Sequence, residues 1–148
     1  MKPVFEKVPK RQWESFHCET VRALDYGTRW HFHPEYQLTL AIESRGHRVV
    51  GDNIAPLTDG DIVLIGSNLP HVWHQDTSAK SRRVNAIIVR FDEDFLGRDF
   101  MALPEMDPVK RLLQRAARAP SPPPAPPAEP PARPRARRPT IAPAPAAR

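Results

Sequence analysis

A single cysteine, Cys18, occurs in the 148 residues. One thiol closes no internal disulfide and builds no cysteine-based metal site, so Cys18 reads as a small core or surface side chain. Long apolar runs are missing too: nothing approaches the roughly 20 apolar residues of a membrane-spanning helix. The opening Met1-Lys2-Pro3-Val4-Phe5-Glu6-Lys7 also lacks the apolar stretch of a secretion leader. Membrane insertion and export are disfavoured, and the chain reads as cytoplasmic.

Acid is scarce in one place. From Pro120 to Arg148 there are twelve prolines, eight alanines and five arginines against the one acid Glu129. That segment carries +4 of the net +5, which leaves residues 1–119 near +1. A pI of about 9.9 would suggest a nucleic-acid partner, but here it belongs to a tail with hardly a side chain able to build a core. Runs such as Pro122-Pro123-Pro124 lack backbone donors and have a locked φ, so 120–148 is expected to be a disordered low-complexity tail. The folded domain is expected to be 1–119, long enough to bury about 65% of its unfolded surface without a staple.

Between Phe16 and Phe91 short apolar or alternating runs are separated by turn residues, with no sustained helical period. The runs predict strands over Phe16 to Val21, Tyr36 to Glu43, His47 to Val50, Asn53 to Leu57, Asp61 to Ile65, His71 to His74 and Arg83 to Phe91. Separators such as Ser44-Arg45-Gly46, Gly51-Asp52-Asn53 and Thr58-Asp59-Gly60 carry turn chemistry. The expected fold is all-β, a double sheet or barrel. The continuous apolar runs at Ile62 to Ile65 and Val84 to Val89 suggest strands covered on both faces. Past Phe91 the acids of Asp92-Glu93-Asp94 suit a first helical turn. Asp107-Pro108 reads as an N-cap followed by proline at the first helical position. An amphipathic helix is expected from Pro108 to Arg118, with Val109, Leu112, Leu113 and Ala116 on its apolar stripe.

Four of the six histidines fall in two short segments, His31-Phe32-His33 and His71-Val72-Trp73-His74. Residues two apart on a strand point to one face, so His31 and His33 can offer two imidazoles to one ion, and Gln37 keeps their parity. His71 could complete a three-nitrogen site for a divalent metal if the segments meet across the hollow of the barrel. The blander reading is a pocket wall, since Trp30, Phe32, Tyr36 and Trp73 flank the histidines. His17 and His47 lie in ordinary strand runs and are expected to be structural or surface residues.

The stretch Gly27-Thr28-Arg29-Trp30-His31-Phe32-His33-Pro34-Glu35-Tyr36-Gln37-Leu38-Thr39-Leu40 resembles the first cupin motif. Gly60-Asp61-Ile62-Val63-Leu64-Ile65-Gly66-Ser67-Asn68-Leu69-Pro70-His71-Val72-Trp73 resembles the second. Together they are most similar to the amino-terminal sensor domain of AraC-type bacterial transcription regulators, over Phe5 to Arg118. The resemblance implies a cupin double-stranded β-helix, or jelly roll, followed by a short C-terminal helix. In metal-binding cupins the motif histidines and a carboxylate hold the ion, and the matching positions are His31, His33, Gln37 and His71. Gln37 departs by replacing the carboxylate with a neutral amide, and Gly66 stands where many cupins carry proline. A complete regulator would also continue into helix-turn-helix units, whereas this chain turns to proline, alanine and arginine. A reading frame shifted near codon 119 would account for that.

The resemblance therefore implies a ligand-sensing and dimerisation domain without its own DNA-binding helices. Trp30, His31, His33, Tyr36, Gln37, His71 and Trp73 would line a pocket for a sugar, an aromatic acid or a similar effector. Val109, Leu112, Leu113 and Ala116 would hold a homodimer, no cofactor would be required, and sequence-specific DNA binding by this chain is not expected. The alternative is a metal-dependent cupin enzyme, an oxygenase or isomerase, using His31, His33 and His71. A third reading makes the basic tail a salt-sensitive tether for nucleic acid or an acidic partner.

Overall fold

The computed structural model describes residues 2–9, 13–27, 29–76 and 83–118. The tail expected over 120–148 lies outside the described residues. Among the described residues nine strands form two sheets: β1 (Val4–Phe5), β2 (Phe16–Ala23), β3 (His31–Phe32), β4 (Tyr36–Glu43), β5 (Gly46–Val50), β6 (Asn53–Leu57), β7 (Ile62–Ile65), β8 (His71–Gln75) and β9 (Val84–Phe91). One sheet runs β1-β3-β8-β5-β6 and the other β2-β9-β4-β7. Apart from the parallel β1/β3 pair, every pairing is antiparallel. The strands β3-β8-β5-β6 face β2-β9-β4-β7 as two interleaved quartets, the strand order of a jelly roll.

All seven expected strands are present, with ends moved by at most two residues. The alternation that revealed them is the alternation of burial. Odd positions of β4 and even positions of β9 point inward, so Ala41, Val84 and Ala86 pack with Val50, Leu57, Val63, Ile65, Trp73 and Tyr26 in the space between the sheets. Ile62 to Ile65 is covered less fully than its composition suggests. Val63 and Ile65 are core and Leu64 is covered from outside, but Ile62 is 69% exposed.

Helices close the outer face of the four-stranded sheet. α1 (Arg98–Met101), a short 3-10 turn (Pro104–Met106) and α2 (Asp107–Ala116) bring Met101 and Leu113 against Tyr36 and Phe91. The segment at Asp92 to Leu96 is a turn, not a helix, because the Phe95 and Gly97 N–H groups bond back to the Asp92 and Asp94 carbonyls. Asp107 is the first residue of α2 rather than its cap: Met106 holds the cap position, and the Asp107 carboxylate pairs with Lys110 Nζ at 2.7 Å. Helix α2 ends on the barrel at Gly66. A Cβ on that glycine would overlap the Ala116 carbonyl and the Ala117 backbone, so the missing side chain is what lets the helix end approach the sheet.

Of the stripe expected to hold a dimer, Leu113 and Ala116 are buried and Val109 is partly buried against Tyr36, Phe91, Met101 and Leu113, while Leu112 is 45% exposed. An apolar stripe needs a partner surface, and here the chain's own sheet supplies it.

Candidate metal centre

His31 sits on β3 directly opposite His71 on β8, as cross-strand partners in one sheet. The two histidine segments are therefore neighbours on one wall rather than opposite walls, and the facing sheet contributes Gln37 and Arg90. His33, just past β3, keeps the inward direction of His31. All three histidines and Gln37 are buried. Ring centroids are 4.2 Å apart for His31 and His71, 5.1 Å for His33 and His71, and 5.8 Å for His31 and His33. One ring nitrogen from each histidine lies within 4.8 Å of the others.

The local backbone decides which nitrogen is free. His31 Nδ1 is 2.7 Å from the Arg29 carbonyl, His71 Nδ1 is 2.8 Å from that of Leu69, and His33 Nδ1 is 3.1 Å from that of Glu35. A carbonyl oxygen only accepts, so Nδ1 of His31 and of His71 donates to it, whereas His33 faces an acceptor at each nitrogen, the Glu35 carbonyl at Nδ1 and Gln37 Oε1 at Nε2. The Nε2 atoms of His31 and His71 are buried without a hydrogen-bond partner. Tethering the far ring nitrogen to an acceptor is also how metal-binding histidines are oriented.

Burial dominates the titration of His71 and His33. It holds His71 down at about 3, with its bond to the Leu69 carbonyl opposing and the neighbouring His31, His33 and Arg90 adding to the depression. His33 is lowered as well, again chiefly by burial. Both rings are neutral lone-pair donors at ordinary pH, the form a cation needs.

Arg90, on β9, is a site residue that the sequence expectations above do not include. It is 5% exposed, and its Nε donates to Gln37 Oε1 at 2.9 Å while Nη1 pairs with Glu19. The same Gln37 oxygen lies 3.1 Å from His33 Nε2, and the Gln37 amide donates to Thr39 Oγ1 at 3.0 Å. Glu6, following β1, brings Oε2 to 3.1 Å from His31 Nε2 and Oε1 to 3.7 Å from Arg90 Nη2. A charged residue at an inward position of an otherwise apolar strand was a readable signal for Arg90. Nothing local marked Glu6.

The aromatic residues expected around the histidines separate. Tyr36 has the opposite parity to Gln37 and stacks on Phe91 beneath the helices, ring centroids 5.8 Å apart, so it does not line the interior with the histidines. Trp73 does point inward, two residues along from His71, but it packs with Tyr26 in the apolar core. Trp30 is half-buried, and its carbonyl receives the Val4 N–H. His47 is exposed and stacks with His74, and His17 is half-buried near Glu19. Two surface hollows, one lined by Arg22, Glu43 and Arg83 and the other by Glu93, Arg98 and Lys110, share no residue with the histidine cluster. The chemistry gathers in the closed interior, not in those hollows.

The donor set fits a divalent cation. Three imidazoles suit zinc, iron, manganese, cobalt or copper, and two buried Nε2 atoms without a hydrogen-bond partner are costly unless something electropositive meets them. Among the described residues no helix is long and apolar enough to cross a membrane.

No protein-family model matches this chain. No curated protein matches it. Among solved structures it is similar to an iron(II) form of HppE, at 19% identity and a TM-score of 0.44, covering 52% of this chain and 43% of that one. It is also similar to a cupin 2 conserved barrel domain protein from Rhodopseudomonas palustris, at 16% identity and a TM-score of 0.43, covering 57% of each chain. The match thus spans less than half the length of HppE. The jelly roll is established by the strand order of the two sheets, independently of these likenesses.

Proposed function

We propose that this domain is a metal-dependent jelly-roll enzyme, an oxygenase or isomerase of a small polar substrate, with His31, His33 and His71 holding a divalent ion. One observation carries the reading: three buried imidazoles converge with their Nδ1 atoms tied to backbone carbonyls, leaving the His31 and His71 Nε2 atoms without a hydrogen-bond partner. A divalent ion bound there supplies Lewis acidity toward an oxygen of the substrate. The protein's own part is positional. The carbonyl tethers fix the three rings, Arg90 holds Gln37 in one amide orientation, and the apolar cluster around Trp73 and Ile65 keeps bulk water from the inner wall.

The effector-sensing role implied by the cupin-motif resemblance would use the same interior. It has less support, since three of the four residues expected to hold a dimer are occupied by the chain's own barrel. The deciding measurement is elemental analysis of protein purified without a histidine tag. About one equivalent of a divalent metal, lost in the His31→Ala His71→Ala double variant, is the expected result. Protein that takes up no divalent ion on dialysis would overturn the proposal.

A further inference from the structure

We propose that Glu6 supplies the carboxylate ligand of the metal centre, the role for which the cupin motif offers only the amide of Gln37. This rests on the reading of the three histidines as a metal site.

The carboxylate is delivered by backbone pairing. Val4 and Phe5 pair in parallel with His31 and Phe32, and the Glu6 N–H donates to the Phe32 carbonyl at 2.9 Å. Phe5 and Phe32 meet edge to face, their ring centroids 5.7 Å apart. These contacts carry the Glu6 side chain to the histidine wall, where Oε2 lies 3.1 Å from His31 Nε2.

That contact is chemically incomplete by itself. His31 Nδ1 is engaged by the Arg29 carbonyl at 2.7 Å, and its buried Nε2 makes no hydrogen bond although Glu6 Oε2 stands 3.1 Å away, so two ligand atoms face each other with nothing between them. A cation between two such donors removes the conflict. Ligand atoms each about 2.0–2.2 Å from one ion stand about 2.8–3.1 Å apart at an octahedral right angle and about 3.3–3.6 Å apart at the tetrahedral angle, and the observed 3.1 Å lies at the octahedral end of that span.

Charge balance points the same way. Imidazole and amide ligands bring no negative charge, so a dication would stand uncompensated beside the buried guanidinium of Arg90, which Glu19 already engages. Glu6 reaches both His31 and Arg90. Glu35 is no substitute, because its Oε2 lies 3.5 Å from His33 Nδ1, on the other side of the ring from Nε2.

The experiment titrates Zn2+ against a chromophoric chelator and records the visible absorption of the Co2+-loaded protein, for wild type, Glu6→Gln, Glu6→Asp and His71→Ala. Outer partners of metal ligands already cost roughly 10–100-fold in affinity when removed. Glu6→Gln is therefore expected to lose at least about tenfold and to change the Co2+ spectrum, with an unaltered melting temperature of the metal-free protein. If Glu6→Gln does not fold, Glu6→Asp is held to the same affinity and spectral criteria. Wild-type affinity and spectrum in the folded variant, with binding still abolished by His71→Ala, would overturn the role of Glu6 and leave the histidine site standing. Wild-type protein that binds neither Zn2+ nor Co2+ would overturn the histidine site itself, and the role of Glu6 with it.

Discussion

Gln37 and Arg90 are cross-strand partners on β4 and β9, both buried, joined by a 2.9 Å hydrogen bond from the guanidinium Nε to the amide oxygen. The bond fixes which end of the amide faces His33, because Nε–H only donates. Position 37 therefore presents an oxygen to the histidine cluster, although it carries no charge.

Restoring the charge at that oxygen is a sensitive probe of the site. Gln37→Glu is expected to raise Zn2+ affinity by roughly tenfold or more, a change comparable to that of other metal-site partners. Arg90 remains available to the new carboxylate, so stability should stay within about 1 kcal/mol of wild type. Chelator competition and urea unfolding read the two quantities. Unchanged affinity would place residue 37 outside the metal's reach.

The docking of α2 on Gly66 leaves no room for a methyl group. Gly66→Ala should cost about 1–3 kcal/mol, the usual range for overpacking, and should raise the fluorescence of a dye that binds exposed apolar surface as the helix end lifts away. A variant as stable as wild type would mean the helix ends elsewhere in solution.

Two adjacent leucines separate self-packing from dimerisation. Leu113 is 2% exposed and Leu112 is 45% exposed. Leu113→Ala should cost about 2–5 kcal/mol, whereas Leu112→Ala should stay within about 0.5 kcal/mol. Urea unfolding at several protein concentrations provides the check. A large, concentration-dependent loss at Leu112 would instead favour a dimer held by the helix.

Acid should destabilise the metal-free protein through His71, whose pKa burial lowers from 6.5 to about 3. Between those values the unfolded chain binds a proton that the folded chain refuses, so unfolding becomes easier as pH falls from 6.5 toward 3. Above 6.5 this group adds nothing. The slope approaches about 1.4 kcal/mol per pH unit for one proton. His33 shifts in the same direction. Urea midpoints at pH 7, 6 and 5 should fall progressively, and His71→Gln should flatten the trend. An equal slope in that variant would assign the acid sensitivity to other groups.

The longer strands were legible because burial on one face leaves an alternating pattern in the chain, as from Tyr36 to Glu43 and from Val84 to Phe91. β1 and β3 were not, since two residues are too few to show a period. Parity placed Gln37 with the histidines, and the same parity puts Tyr36 on the other face, against the expectation drawn from closeness along the chain.

What the sequence alone determined was local: which segments extend, where they turn, and that His31 and His33 share one face of a strand. Which segments meet was decided by the tertiary structure. Pairing β3 with β8 sets His31 beside His71, pairing β4 with β9 sets Arg90 beside Gln37, and laying β1 along β3 brings in Glu6. Strand register between distant segments depends on the packing of both sheets at once, and no local period encodes it.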